Sequence, residues 1–139
     1  MFRRANPRAG AISRLEPFSG CSPSELETVA RHSDDVTLRE GQILMHEGTS
    51  GRECFFIAEG EALVRIEGEV VATLGPGDIV GEMAVIDREP RSATVVAATP
   101  IHAVVLTTQQ FNAVADSCPS VARRVMSTLA QRLREVQAA

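Results

Sequence analysis

A chain of 139 residues, 44% hydrophobic and 23% charged, has enough material for one globular domain with a proper core, and its composition is that of an ordinary soluble protein. A net charge of -4 argues against a general nucleic-acid binder, which needs clustered positive charge. No apolar run approaches the ~20 residues that cross a bilayer, and the N-terminus lacks the apolar stretch of a secretion signal, so a cytoplasmic protein is expected. The three cysteines, Cys21, Cys54 and Cys118, are odd in number and lack metal-ligand spacing. They fit a reducing compartment, each as a small packed side chain.

Residues 1–14 carry Arg3, Arg4, Arg8 and Arg14 with little apolar periodicity, and are expected to form a flexible, solvated N-terminal arm. Structure is expected to begin near Leu15 to Phe18. Ser22-Pro23-Ser24-Glu25 then offers an N-cap, a proline at the first helical position and a glutamate placed for a capping box. The helix predicted from about 22 to 32 buries Leu26, Val29 and Ala30, and Asp34 and Asp35 read as a solvated exit turn.

From Val36 to Leu106 the apolar period changes to two, punctuated by glycines. Strands are predicted near 36–38, 43–46, 53–59, 62–66, 70–74, 79–80, 94–97 and 101–106. Glu67-Gly68-Glu69 lies between the alternations Ala62, Val64, Ile66 and Val70, Ala72, Leu74, which marks a hairpin. Many short strands with polar glycine turns predict an α+β fold: an antiparallel β-roll, a jelly-roll-like barrel, flanked by an N-terminal helix and two C-terminal helices.

Within the roll, Gly75-Pro76-Gly77 is a turn, Ile79-Val80 a short buried strand, and Gly81 opens Glu82-Met83-Ala84-Val85-Ile86, long enough for about one helical turn. The N-terminus of such a turn presents unpaired N–H groups and a dipole that suit a phosphate, and glycine permits close approach. Some ten residues on, Arg91 supplies a permanent charge in a planar fork and Ser92 a hydroxyl donor. Glu82 would be repelled by a phosphate, so a productive role aims it at a neutral donor such as a ribose hydroxyl. Together these groups describe a receptor for a modest sugar phosphate.

After the roll, Thr107 or Thr108 can cap a helix through about Ala115 with Phe111 and Val114 facing in, until Cys118-Pro119 breaks it. A longer helix is predicted from Val121 to Ala139. Ala122, Met126, Leu129, Leu133 and Val136 draw a narrow apolar seam along it, with Arg123, Arg124, Arg132 and Arg134 mostly off it. That seam suits packing on the roll, pairing with a second chain, or covering a ligand.

The residues Gly81-Glu82-Met83-Ala84 followed by Pro90-Arg91-Ser92-Ala93-Thr94 resemble the phosphate-binding cassette of cyclic nucleotide-binding domains, the sensor units of the catabolite activator protein, of the regulatory subunits of cAMP-dependent kinase and of cyclic nucleotide-gated channels. Arg39-Glu40-Gly41-Gln42, Glu47-Gly48 and Phe55-Phe56-Ile57-Ala58-Glu59-Gly60 look like the family's first strands, so the resemblance runs over residues 15–139 as a single domain. It implies that Glu82 takes the ribose 2'-hydroxyl, Arg91 the cyclic phosphate and Ser92 a second phosphate contact, with Gly81, Met83, Ala84 and Ala93 completing the cradle. The ligand implied is cAMP, or less favourably cGMP, since cGMP-selective members often carry threonine where this chain has Ser92. In the family the last helix carries the signal onward. A base held by this cassette still needs a cover, and Val121, Val125, Met126 and Leu129 are the apolar residues expected to provide it, hinged at Cys118-Pro119.

Catalysis is not expected. A metal enzyme on such a roll needs converging histidines, and His32, His46 and His102 are far apart in sequence; no serine or cysteine has a histidine placed by motif to activate it, and no metal or cofactor is implied. The alternative to a sensor is an interaction module of the same fold that holds a partner through its C-terminal helix without nucleotide. A homodimer or an output domain reached through that helix suits either reading. Within these residues no DNA-reading unit is expected, and either a free-standing sensor or a fragment of a longer protein fits.

Overall fold

The computed structural model describes residues 3–5, 9–81 and 90–138. In chain order the elements are β1 (Arg3–Ala5), α1 (Ala9–Ile12), a 3-10 turn (Glu16–Phe18), α2 (Pro23–His32), β2 (Asp34–Leu38), β3 (Ile43–Met45), β4 (Glu53–Glu59), β5 (Ala62–Ile66), β6 (Glu69–Leu74), β7 (Ile79–Val80), β8 (Thr94–Ala97), β9 (Ile101–Thr107), α3 (Thr108–Ser117) and α4 (Pro119–Ala138). The strands form two antiparallel sheets, β1-β2-β9-β4-β7 and β3-β8-β5-β6. This is the predicted α+β roll.

The two sheets bury different amounts of themselves. On β4 the alternation sends Phe55 and Ile57 into the roll, with Val36, Leu38, Val80, Val95, Ala103 and Val105. Cys54 and Phe56 point the other way, into a second cluster with Ile12, Phe18, Val29, Phe111, Val114, Val121 and Val125 from the helical layer. The first sheet is therefore covered on both faces at β4 and β9, and these two strands read as near-continuous apolar runs for that reason. Phe18 and Phe56 meet with ring centroids 4.9 Å apart, which fixes the 3-10 turn on β4.

The helix ends follow their local chemistry. Ser22 caps α2, accepting from the Glu25 N–H while the Glu25 carboxylate accepts from the Ser22 N–H, with Pro23 opening the first turn. Thr107 and Gln110 form the equivalent box on α3. At the β5–β6 hairpin, Glu67 (φ +52°) and Gly68 (φ +84°) both occupy the left-handed region that a tight two-residue turn demands.

Three expectations need correction. Residues 1–14 are not an unstructured arm throughout: Arg3–Ala5 pair antiparallel with β2, supplying ladder partners along its edge, and Ile12 in α1 is fully buried. Asp34 and Asp35 are the start of β2, and Asp35 accepts a side-chain contact from His102 on the neighbouring β9. The β5–β6 hairpin also extends past the core. Glu69 to Thr73 are exposed on both faces of β6, Val70 and Val71 at 53% and 55%, and a register shift between Val64 and Arg65 leaves Val71 unpaired there.

Candidate phosphate site

The short β7 strand lies against β4, pairing Phe55 with Val80 and Phe56 with Ile79. The turn before it is pinned twice, since the Gly75 N–H donates to Asp78 Oδ2 at 2.8 Å and the Gly77 N–H to the Ile57 carbonyl at 2.9 Å. This fixes where the chain leaves the sheet at Gly81, which takes φ +87°. Glu82, Met83 and Ala84, and the helical turn expected of them, lie outside the described residues.

Arg91 re-enters beside Gly81 from the other side of the cassette. Its backbone N–H donates to the Thr49 carbonyl and its carbonyl accepts from the Gly48 N–H, both at 2.8 Å, so residues 46–51 hold it as a paired strand would. The residue is only 7% exposed, and its guanidinium donates from Nη1 to the Gly81 carbonyl at 3.1 Å and from Nη2 to the Glu53 carbonyl at 2.7 Å. Two glycines make room for it. A β carbon at Gly51 would stand 1.8 Å from Arg91 Nε, and one at Gly81 would stand 2.5 Å from Nη1. The sequence reading marked Gly81 and Arg91 and missed Gly51, Thr49 and Glu53, because their relation to Arg91 depends on a chain crossing that no local spacing reveals.

The guanidinium borders a cavity of about 650 Å³, whose wall includes Ile43, Met45, Thr49, Gly51, Glu53 and Arg91. Ser92, the next residue, is exposed, and Ala93 is buried. A buried, positively charged fork fixed by main-chain carbonyls, beside a recess where glycines leave room, has the chemistry to pair with an oxyanion.

The expected base cover divides. Val121 and Val125 are fully or nearly fully buried in the cluster that packs α4 on the N-terminal helices, so in this arrangement they face the core. Met126 is 63% exposed, and the Leu129 side chain lies outside the described set. Arg124 fastens the same stretch of α4, donating from Nη1 to the Glu16 carbonyl and to Ser19 Oγ, both at 2.8 Å. No helix among the described residues is long and apolar enough to cross a membrane, and none of their histidines, cysteines or carboxylates gather in a group of three that could hold a metal ion.

The fold is a two-sheet antiparallel roll, and its buried arginine has the chemistry to pair with an anion. The family model of the cyclic nucleotide-binding domain matches residues 35–118, and the chain belongs to that family. It is 41% identical over 96 residues to a Pycsar effector protein of Xanthomonas perforans, covering 68% of this chain and 32% of that protein. It is 35% identical over 121 residues to a cyclic nucleotide-gated potassium channel of Mesorhizobium japonicum, covering 87% of this chain and 34% of the channel. The chain thus spans about a third of the length of these two relatives. A solved cyclic nucleotide-binding domain from Methylobacillus flagellatus superposes with a TM-score of 0.83 at 25% identity, over 96% of this chain and 84% of that one.

Proposed function

We propose that this domain is a non-enzymatic sensor that binds cAMP in preference to cGMP and passes occupancy on by movement of its C-terminal helix. The observation that carries the reading is Arg91: a buried guanidinium, held in a glycine-lined recess by two carbonyls, at the position where the cassette calls for the phosphate ligand. In this reading Arg91 neutralises the cyclic phosphate, Ser92 donates a second bond to it, and the N–H groups following Gly81 complete the cradle. Glu82 accepts from the ribose 2'-hydroxyl, with Met83, Ala84 and Ala93 as cassette neighbours. Ser92, where cGMP-selective members of the family often have threonine, supports adenine over guanine. The helix role narrows to the part of α4 beyond its packed first turns, with Met126 and Leu129 as the residues available to cover a base. Whatever output domain, partner or second copy follows is reached through this helix.

Displacement of a fluorescent cAMP analogue tests the reading. Unlabelled cAMP should displace it at lower concentration than cGMP, and 5'-AMP, which has the base and ribose but an open, more highly charged phosphate, should displace it poorly. Equal displacement by cGMP would overturn the base preference, and no binding of the analogue would overturn the sensor reading itself.

A further inference from the structure

Arg123 and Arg124 are neighbours on α4 and are placed differently, Arg123 exposed and Arg124 half-buried. The Arg124 guanidinium is seated where the chain leaves the 3-10 turn. Its Nη1 donates to the Glu16 carbonyl and to Ser19 Oγ, both at 2.8 Å, and the Ser19 hydroxyl donates in turn to the same Glu16 carbonyl at 3.0 Å. Gly20 leaves the room for it: a β carbon there would overlap Nη2 and stand 2.8 Å from Cζ. The turn that receives the arginine is itself anchored. Pro17 and Phe18 are buried, and the Phe18 ring lies on Phe56 of β4, the strand that pairs with β7 and so with the start of the cassette. Past Arg124 the packing of α4 changes. Arg124, Ser127 and Gln131, at spacings of three and four, line one side of a cavity of about 230 Å³ whose wall also includes Glu16, Ser19 and Gly77. Val121 and Val125 meet packed apolar core, whereas this face meets the turn ahead of β7 across polar space.

We propose that Arg124 is the positioning residue for α4: its clamp on Glu16 and Ser19 makes the 3-10 turn and the first turns of α4 one body on β4, and sets the point beyond which the helix can move. Charge-assisted bonds to a carbonyl and a hydroxyl, in a seat that only a glycine leaves open, hold more firmly than a surface contact. The polar cavity beyond them offers little apolar burial to hold the rest of the helix down. The clamp is read from this geometry alone. Its effect on ligand release rests on the proposed function, in which α4 beyond Val125 covers the base.

The test is hydrogen exchange of the full chain without ligand, on the parent, Arg124→Gln, Gly20→Ala, the double variant, and Arg123→Gln as a control for lost charge. Gly20→Ala keeps Arg124 but fills its seat, and because the group displaced is the far end of a flexible side chain, the fold should survive. Each of these two single variants should speed exchange about tenfold in residues 15–20 and 120–126 together, with β4 and β9 unchanged. The double variant should exchange no faster than Arg124→Gln, since both changes remove the same contact. Arg123→Gln should match the parent. Unchanged exchange in Arg124→Gln or Gly20→Ala, a loosened α4 beside a still protected 3-10 turn, or additive effects in the double variant would overturn the proposal. Stopped-flow release of a fluorescent cAMP analogue then reads the consequence: both single variants should release it faster by the same factor, with association unchanged. Faster exchange with release at the parent's rate would uphold the clamp and count against α4 as the base cover, and a parent that bound no analogue would count against the sensor reading while the exchange data still decide the clamp.

Discussion

Main chain holds Arg91 at both ends: Thr49 and Gly48 pair with its backbone, and Gly81 and Glu53 offer carbonyls to its fork. Its position is therefore set by how closely Gly51 lets the 46–51 loop approach. Gly51→Ala, which leaves Arg91 itself intact, should push the guanidinium aside and weaken cAMP about tenfold, or ~1.4 kcal/mol, as read by displacement titration on protein whose circular dichroism is unchanged. Undiminished affinity would mean that the fork does not touch the ligand. Arg91 was legible in the sequence because its neighbours form a motif with an electrostatic reason behind it. Gly51 was not, because its meaning is a tertiary clash between loops forty residues apart.

The elements that were legible are those with local causes. Alternation located the strands of the roll, and the Ser22-Pro23-Ser24-Glu25 signature located the start of α2. The N-terminal strand and the exposed hairpin were not, since β1 pairs with the edge of β2 and β6 alternates in sequence although neither of its faces is covered from Glu69 to Thr73. The α2 cap makes a prediction with a definite sign. The Ser22 backbone N–H first, and its hydroxyl second, hold the Glu25 carboxyl below its ordinary value of 4.5. A depressed folded value means the carboxylate stabilises the fold above its unfolded value, and that this contribution is lost as pH falls through the folded one. Glu25→Gln should therefore lower the melting temperature at neutral pH, with the gap to the parent closing below about pH 4.5. Ser22→Ala should cost about 1 kcal/mol. A gap for Glu25→Gln that stays constant into acid would show that the cap bond does not depend on the charge.

At the scale of the whole molecule, the first covered sheet joins two cores: the roll interior that carries the site, and the helical layer that holds α4. Val121 and Val125 anchor the start of α4 in the second core, and Arg124 ties it to the 3-10 turn. Burying two such side chains stabilises by roughly 1.5–3 kcal/mol each, so the first turns of α4 should remain protected in every state. Hydrogen exchange over residues 120–136 should accordingly show a cAMP-dependent rise in protection beyond those turns. Equal protection throughout would make α4 a fixed structural or dimer element.

The central claim is that Arg91 receives the cyclic phosphate, and a calorimetric titration of the parent and of Arg91→Ala with cAMP tests it most directly. The parent should give saturable binding at one site per chain, and Arg91→Ala, still folded by circular dichroism, should lose about 2 to 5 kcal/mol of it. A variant that bound within a factor of two of the parent, or a parent that gave no binding at all, would contradict the account.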